Sequence, residues 1–375
     1  MSENPESEDS TSARQAVAAS LGRTLDPLVE FEEQLETTFV QLDTDPLALA
    51  KAEVVETRDL TDRTREHYSH VFNQWRDHMR RQGRYVACPN EEHVRAFIEY
   101  ERETKGNADE TVIAKLTLLN VAYEYWQDDP AFPHPQDYNP FRLMKKKADF
   151  SEEQPKKLPR ISIEELRTTL DDVTNVRDLA ILALQLKLGL RATELCNLRA
   201  SDIHIENPEI THHYDDLGGC DRLVDKQNVV YIPHDREGNK SPRPRLLPLD
   251  DELCRILSQY LLLRPTNGTP EVFLSKTRHL PLNKQAVNTV WKDTFHPEYE
   301  ETDEHRAVTS HFGRHWFTTY WRVEANMNRE LVKYLRGDRA GSTDPEDRAS
   351  INEYIHTYYA DIESAYREQI FKLGI

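Results

Sequence analysis

Cysteine, glycine and basic charge are all in short supply in this chain. Four cysteines, at positions 88, 196, 220 and 254, are scattered over 375 residues with no Cys-x-x-Cys pair. Such spacing builds no disulfide framework and fits reduced thiols. His204, His212, His213 and Cys220 lie close together in sequence but match no zinc-ligand pattern, so a polar loop is expected there and no metal site. The 12 glycines form no phosphate-cradling loop, and no internal repeat is visible. No run of 18 apolar residues exists, and the N-terminal MSENPESEDSTSARQ is polar and acidic; a cytoplasmic protein without membrane contact is the expectation.

Lys and Arg number 48 against 66 Asp and Glu, a net charge of −18. Taken alone, that balance argues against a nucleic-acid partner, because polyphosphate binding normally draws on a basic surplus. Distribution matters more than the sum. The acidic residues are spread throughout, whereas basic ones gather at a few places such as Arg80-Arg81 and Lys145-Lys146-Lys147. An acidic surface with basic patches suits a cytosol of very high salt, where repulsion between charges is screened within a few ångströms.

The length accommodates two domains. Residues 1–25 read as a disordered acidic tail. Residues 45–140 read as a helical domain. From Thr61, Tyr68, Val71, Phe72, Trp75 and Met79 recur at helical steps up to Gly83, with Arg65, Arg76 and Arg80 on the opposite face. A second helix starts near Asn90 with Val94, Phe97 and Ile98 inside. A third runs from Asp109 to Trp126, and Leu28, Phe31, Leu35 and Phe39 suggest one more. The stretch 141–159 loses this periodicity and reads as a basic linker. Its Lys145, Lys146, Lys147, Lys156 and Lys157 are either a solvated connector or a strap across a phosphate backbone.

Residues 160–375 read as a second domain. IEELRTTL and the apolar 176–189 segment predict helices, Ile203–Ile205, Val229–Ile232 and Leu246–Leu249 predict short strands, and the rest is helical. The fold class expected is therefore mainly α with a small antiparallel sheet (α+β). Three islands in this domain carry polar chemistry. Arg191 follows an apolar helix, with Glu194 three residues on; by itself this could be a surface ion pair. Lys240 sits on the turn-rich segment between the last two strands, where a lysine is usually just solvated. In SHFGRHWFTTY, His311, Arg314 and His315 share one helical face while Phe312, Trp316, Phe317 and Tyr320 supply apolar packing.

The ordered set LGLRATELCNLRASDI, the hairpin lysine, HFGRHWFTTY and SINEYIHTYY resembles the catalytic domain of the tyrosine recombinase (phage integrase) family. The helical front portion, NPF with its lysine-rich sequel and LPRISIEEL resemble that family's core-binding domain and its junction. The resemblance spans roughly residues 50 to 375, and YLRGDRAG and HTYYADIE are most similar to integrases of halophilic archaea. It implies a site-specific DNA recombinase or integrase acting through a 3′-phosphotyrosine, with no cofactor.

Metal-free cleavage of a phosphodiester needs a nucleophile, neutralisation of two non-bridging oxygens and an acid for the departing 5′ oxygen. Carried over residue by residue, Arg191 and Arg314 are the phosphate clamp and Lys240 is the acid. His311 assists proton transfer, His315 orients the phosphate or supports the fold, and Glu194 buttresses the site. Tyr354 is the expected nucleophile, because SINEYIH keeps a serine four residues before it and a histidine two after. Tyr358, one helical turn on, is the alternative. Where the family commonly has Gly-His or Gly-Trp, this chain has Gly337-Asp338, and an ionised carboxylate cannot donate to phosphate; either His315 or Arg339 supplies that donor, or the site is weaker. Double-stranded DNA is the implied partner, gripped at its backbone by Arg76, Arg80 and the five linker lysines. Strand exchange implies a tetramer on DNA, with the C-terminal IFKLGI available for docking on a neighbour. A type IB topoisomerase and a non-cutting DNA-binding regulator are the other readings.

Overall fold

Two separate sets of apolar residues, one on either side of Gln154, condense into two cores. In this computed structural model, which describes residues 5–58, 60–150, 156–338 and 359–375, the units are Met1–Gln154 and Pro155–Ile375.

The first unit is helical: α1 (Pro5–Ser20), α2 (Glu32–Gln41), α3 (Pro46–Ala50), α4 (Asp62–Arg81), α5 (Glu91–Glu99), α6 (Asp109–Asp128) and α7 (Pro140–Lys147). The start of α4 is fixed by Thr61, whose hydroxyl accepts from the Thr64 N–H at 3.3 Å, and that of α5 by Asn90, which accepts from the Glu92 and His93 N–H groups. Such caps satisfy donors that a helix start otherwise leaves orphaned. The expected stripe of α4 is all buried, and Trp75 meets Phe97 and Phe141 edge-on at centroid distances of 5.3 and 5.2 Å.

Two expectations are corrected here. Residues 1–25 are not a disordered tail throughout: Pro5–Ser20 is helical, Ala18 is buried and Arg14 pairs with Glu91 at 2.9 Å. The segment ARQAVAAS is rich in alanine, the strongest helix former, which outweighs the acidic residues before it. Nor is 141–159 a linker from its first residue. In α7, Asn139 accepts from the Arg142 N–H at 3.0 Å, proline occupies the first turn, and Pro140, Phe141 and Met144 are buried. Only three buried apolar positions mark this short helix, and the adjacent lysines hide them.

The second unit contains α8 (Ile163–Asp171), α9 (Val176–Leu188), α10 (Ala192–Cys196), α11 (Pro208–His213), α12 (Asp251–Leu263), α13 (Lys284–Phe295), α14 (Ser310–Thr319), α15 (Arg329–Arg336) and α16 (Tyr359–Gln369). Its strands, β1 (Ile203–His204), β2 (Val229–Ile232) and β3 (Arg245–Pro248), form one antiparallel sheet in the order β1-β2-β3. Ile232 pairs with Arg245 and Val229 with Pro248, so β3 lies one residue earlier than the apolar run alone suggests. The fold class is the one expected.

Helix α9 packs against α12, α13 and α14, and its sequence VRDLAILALQLKL accordingly offers scarcely any polar face. Its one buried cation, Lys187, meets Asp250 and Glu252 at 2.5 and 2.6 Å. The same two carboxylates hold the C-terminus: Lys372 donates to Asp250 at 3.0 Å, and the Leu373 and Gly374 N–H groups donate to Glu252 at 2.8 and 2.7 Å. With Ile370, Phe371 and Leu373 buried, IFKLGI docks on its own unit rather than standing free for a neighbour.

Candidate active site

Helix α14 places the site by lying close against its neighbours. A Cβ on Gly313 would sit 2.7 Å from the Trp291 ring and 3.2 Å from Gln185, so glycine permits the approach of α14 to α13 and α9. Phe312 and Phe317 face that core. Arg314 is only 3% exposed despite its charge. Its Nη1 donates at 2.8 Å to the carbonyl of Gly189, two residues before Arg191, which physically joins the first and third polar islands.

Arg191 stands at the N-terminus of α10. Its backbone N–H donates to Glu194 Oε2 at 2.9 Å, and its Nη1 reaches Glu194 Oε1 at 3.3 Å and Ser241 Oγ at 2.9 Å. Glu194 is buried and chelated by Arg245, with Nη1 to Oε1 at 3.1 Å and Nη2 to Oε2 at 2.9 Å, while Ser241 donates to it at 2.5 Å. Burial alone would raise the Glu194 pKa, but the Arg245 charge and the hydrogen bonds from Arg245, Ser241 and the Arg191 backbone hold it at about 2. Glu194 is thus ionised at neutral pH and holds Arg191 through its backbone N–H and guanidinium.

The end of α15 delivers Asp338. Gly337 has φ 66° and ψ 32°, a left-handed conformation, and a Cβ there would collide with Arg245 and Ser241. Beyond that turn, Asp338 Oδ1 accepts from Arg191 Nη2 at 2.9 Å and from Arg314 Nη2 at 2.7 Å, and Oδ2 lies 2.9 Å from Arg336 Nε. Three guanidinium groups therefore face one carboxylate. Burial, with repulsion from Arg191 and Arg336 outweighing Asp338, pushes the Arg314 pKa down to about 9, and the group stays charged at neutral pH.

His311 and His315 keep exposed edges on the same face of α14, with ring centroids 4.5 Å apart. Both pKa values lie below the usual 6.5: partial burial is the first cause, followed for His311 by Arg314, Arg336 and Arg191, and for His315 by His311, Arg336 and Arg314. Neutral imidazoles among fixed cations can take up a proton. Lys240 is exposed, next to the buried Ser241. The turn that carries it is pinned rather than loose: Asn197 Nδ2 donates to the Glu237 carbonyl at 2.8 Å and to Asn239 Oδ1 at 3.0 Å, and Arg236 Nη2 donates to Asp202 at 2.8 Å.

Tyr354 and Tyr358 lie outside the described residues. Tyr359, which opens α16, is partly buried, and burial followed by the Glu363 charge raises its pKa well above the ordinary phenol value. The basic residues expected along DNA are mostly engaged with the protein itself. Arg76 pairs with Asp45 at 2.8 Å, Arg80 with Asp77 at 3.2 Å, Lys156 with Glu301 at 2.6 Å, and Lys147 with Glu91. Lys145 donates to Thr117 Oγ1 at 3.0 Å, while Lys146 and Lys157 are exposed. No group of three or more His, Cys, Asp or Glu among the described residues is placed to hold a metal ion. Ser241, Arg245 and Arg336 are the site residues that motif reading misses. Arg245 is legible only as one of the arginines flanking Lys240, and Arg336 only as the cation immediately before Gly337-Asp338.

A family model described as the phage integrase family matches residues 156–343, half of the chain. The chain belongs to the phage integrase family. Among curated relatives it is 27% identical over 190 residues to the tyrosine recombinase XerA of Pyrococcus horikoshii, covering 50% of this chain and 56% of that protein. It is 25% identical over 296 residues to the tyrosine recombinase XerD of Chlamydia trachomatis, covering 72% of this chain and 81% of that protein. The chain thus spans little more than half the length of its archaeal relatives. Among solved structures, the Tn1549 transposon integrase, in complex with transposon right end DNA, superposes with a TM-score of 0.55 at 18% identity over 82% of this chain and 99% of that one. Lambda integrase, as a dimer bound to a core site, gives 0.52 at 14% identity over 78% and 91%. At these identities the two structures speak for a shared fold.

Proposed function

We propose that this family member is a site-specific DNA recombinase or integrase that cuts and rejoins DNA through a covalent 3′-phosphotyrosine. The observation that carries the reading is the convergence of Arg191 and Arg314 on a single oxygen, at 2.9 and 2.7 Å. Two planar guanidinium groups aimed at one anionic oxygen form a seat for a phosphodiester in its transition state.

In the proposed reaction the hydroxyl of Tyr354 attacks the scissile phosphorus, and its proton passes to a neighbouring base, the role proposed for His311. The phosphorus–5′ oxygen bond breaks, Lys240 protonates that oxygen, and the 3′ phosphate stays esterified to the tyrosine. A 5′ hydroxyl from a partner strand reverses the step. The phosphodiester's energy is retained in the covalent link, so no cofactor is required. Arg76, Arg80, Lys145, Lys146, Lys147, Lys156 and Lys157 are proposed to contact the DNA backbone, exchanging their present carboxylate partners for phosphates where they have them. Exchange between two duplexes calls for four active sites, and a tetramer on DNA is part of the proposal. The domains proposed are a core-binding domain in the first unit and a catalytic domain in the second.

A high-salt, cytoplasmic setting is supported by the net charge of −18; no helix among the described residues is long and apolar enough to cross a membrane. A second reading, a regulator that binds DNA without cutting it, is favoured by the carboxylate of Asp338 lying across both arginines.

Incubation with a nicked suicide duplex, resolved on a denaturing gel, tests the proposal. A protein–DNA adduct that is lost in Tyr354→Phe and kept in Tyr358→Phe is the expected result. DNA binding without adduct at any salt concentration would replace the recombinase by the regulator.

A further inference from the structure

We infer that Asp338 is an internal substitute for a phosphate oxygen, and that a phosphodiester enters this site by exchange with it. The inference rests on the proposed recombinase reading for its biological meaning, but its chemistry stands on the arginine geometry alone. Asp338 Oδ1 receives the two Nη2 donors of Arg191 and Arg314 at 2.9 and 2.7 Å, the separations of charge-assisted hydrogen bonds. A non-bridging phosphate oxygen asks for the same donors in the same place, and the two acceptors cannot both have them.

Asp338 is also built to leave. Its side chain is 27% exposed, against 3% for Arg314 and none for Glu194, and it follows the left-handed turn at Gly337 at the edge of the site. Its second oxygen lies 2.9 Å from Arg336 Nε, which donates no hydrogen bond as it stands, so rotation toward Arg336 would keep the carboxylate beside a cation while freeing the other two. With one carboxylate among three guanidinium groups, the cluster keeps positive charge in excess. The carboxylate also offsets repulsion between Arg191 and Arg314, two like charges whose proximity lowers the Arg314 pKa. Asp338 is thus a positioning residue. It keeps the clamp closed around an anion, and it makes phosphate binding a competition rather than a simple addition.

The test is titration of the full-length protein with inorganic phosphate at constant ionic strength, read by calorimetry and by thermal unfolding. Asp338→Asn, which retains shape and removes the charge, is expected to bind phosphate at least ~10-fold more tightly than the unaltered protein, a gain of about 1.4 kcal/mol. The gain should vanish in the double variant Asp338→Asn, Arg314→Ala. Equal or weaker phosphate binding by Asp338→Asn overturns the inference. Should the variant unfold, recovery of its structure by added phosphate supports the exchange, because any anion at that place then suffices. Failure of phosphate to restore it overturns the inference, since the fold would then need the carboxylate itself. The suicide-duplex gel run beside it keeps the two readings apart. Tighter phosphate binding without adduct leaves the exchange standing and removes the recombinase. An adduct with unchanged phosphate binding does the reverse.

Discussion

The first unit and the candidate site of the second treat their cations in opposite ways. In the first, the most buried cations are matched by acids: Lys115 meets Glu101 at 2.5 Å, Arg102 meets Asp109 at 2.6 Å, and Arg84 lies between Asp26 and Glu32 at 2.9 and 2.8 Å. In the second, Arg191, Arg314 and Arg336 converge on Asp338, while Glu194 is shared by Arg191 and Arg245. One arrangement neutralises charge locally and holds helices together. The other leaves positive charge in surplus around one point, which is costly without an anion and useful with one. On a chain with a net charge of −18, an anion is favoured only where the local count reverses, as it does around Asp338.

Three perturbations sharpen or break this contrast. The largest effect is expected at Lys240. Lys240→Ala should slow cleavage of a normal duplex by ~10²–10⁴-fold, the usual weight of a general acid. A substrate whose departing 5′ oxygen is replaced by sulfur needs no such acid and should restore the rate; no restoration would take Lys240 out of that role.

Next comes the Glu194–Arg245 pair. Glu194→Gln leaves Arg245 buried without its counter-charge and should cost about 3 kcal/mol at neutral pH, measured by denaturant unfolding. Because the Glu194 pKa is depressed from 4.5 to about 2, its contribution is fully present above pH 4.5 and is lost as the pH falls toward 2. The glutamine variant should lack that part of the acid limb. Parallel acid limbs in the two proteins would mean that Glu194 is not ionised as described.

The smallest effect belongs to the first unit. Arg80 is 72% exposed and pairs with Asp77 within one helical turn, so Arg80→Ala should change stability by less than ~0.5 kcal/mol. If Arg80 contacts a phosphate, the slope of log affinity against log salt should fall by about one. An unchanged slope would leave Arg80 as a surface ion pair.

Legibility in the sequence followed locality. His311, Arg314 and His315 are neighbours on a single helix, so helical spacing places them on a shared face, and Arg191 and Glu194 are close in sequence, with Arg191 capping the start of the helix that carries Glu194. Helix starts at Thr61 and Asn90 were equally readable from their caps. Ser241, Arg245 and Arg336 were not, because β3 and α15 bring them in across the fold, and an arginine at a strand start carries no mark of burial. Asp338 was legible as a departure from the family pattern, but its meaning was not. From sequence it is a lost donor; in the fold it is an acceptor for two arginines. The helix over Pro5–Ser20 and the start of the supposed linker were misread because charge and lysine content obscured alanine propensity and three apolar contacts.

The central claim is that Arg191 and Arg314 act as one seat for one phosphate. The most direct test is the rate of adduct formation on a nicked duplex by Arg191→Ala, Arg314→Ala and the double variant, with DNA affinity measured alongside. A shared seat predicts that each single change costs on the order of 10²–10³-fold while DNA stays bound, and that the double variant loses little beyond the worse single one. Losses that multiply in full would show two arginines acting independently, and would contradict the account.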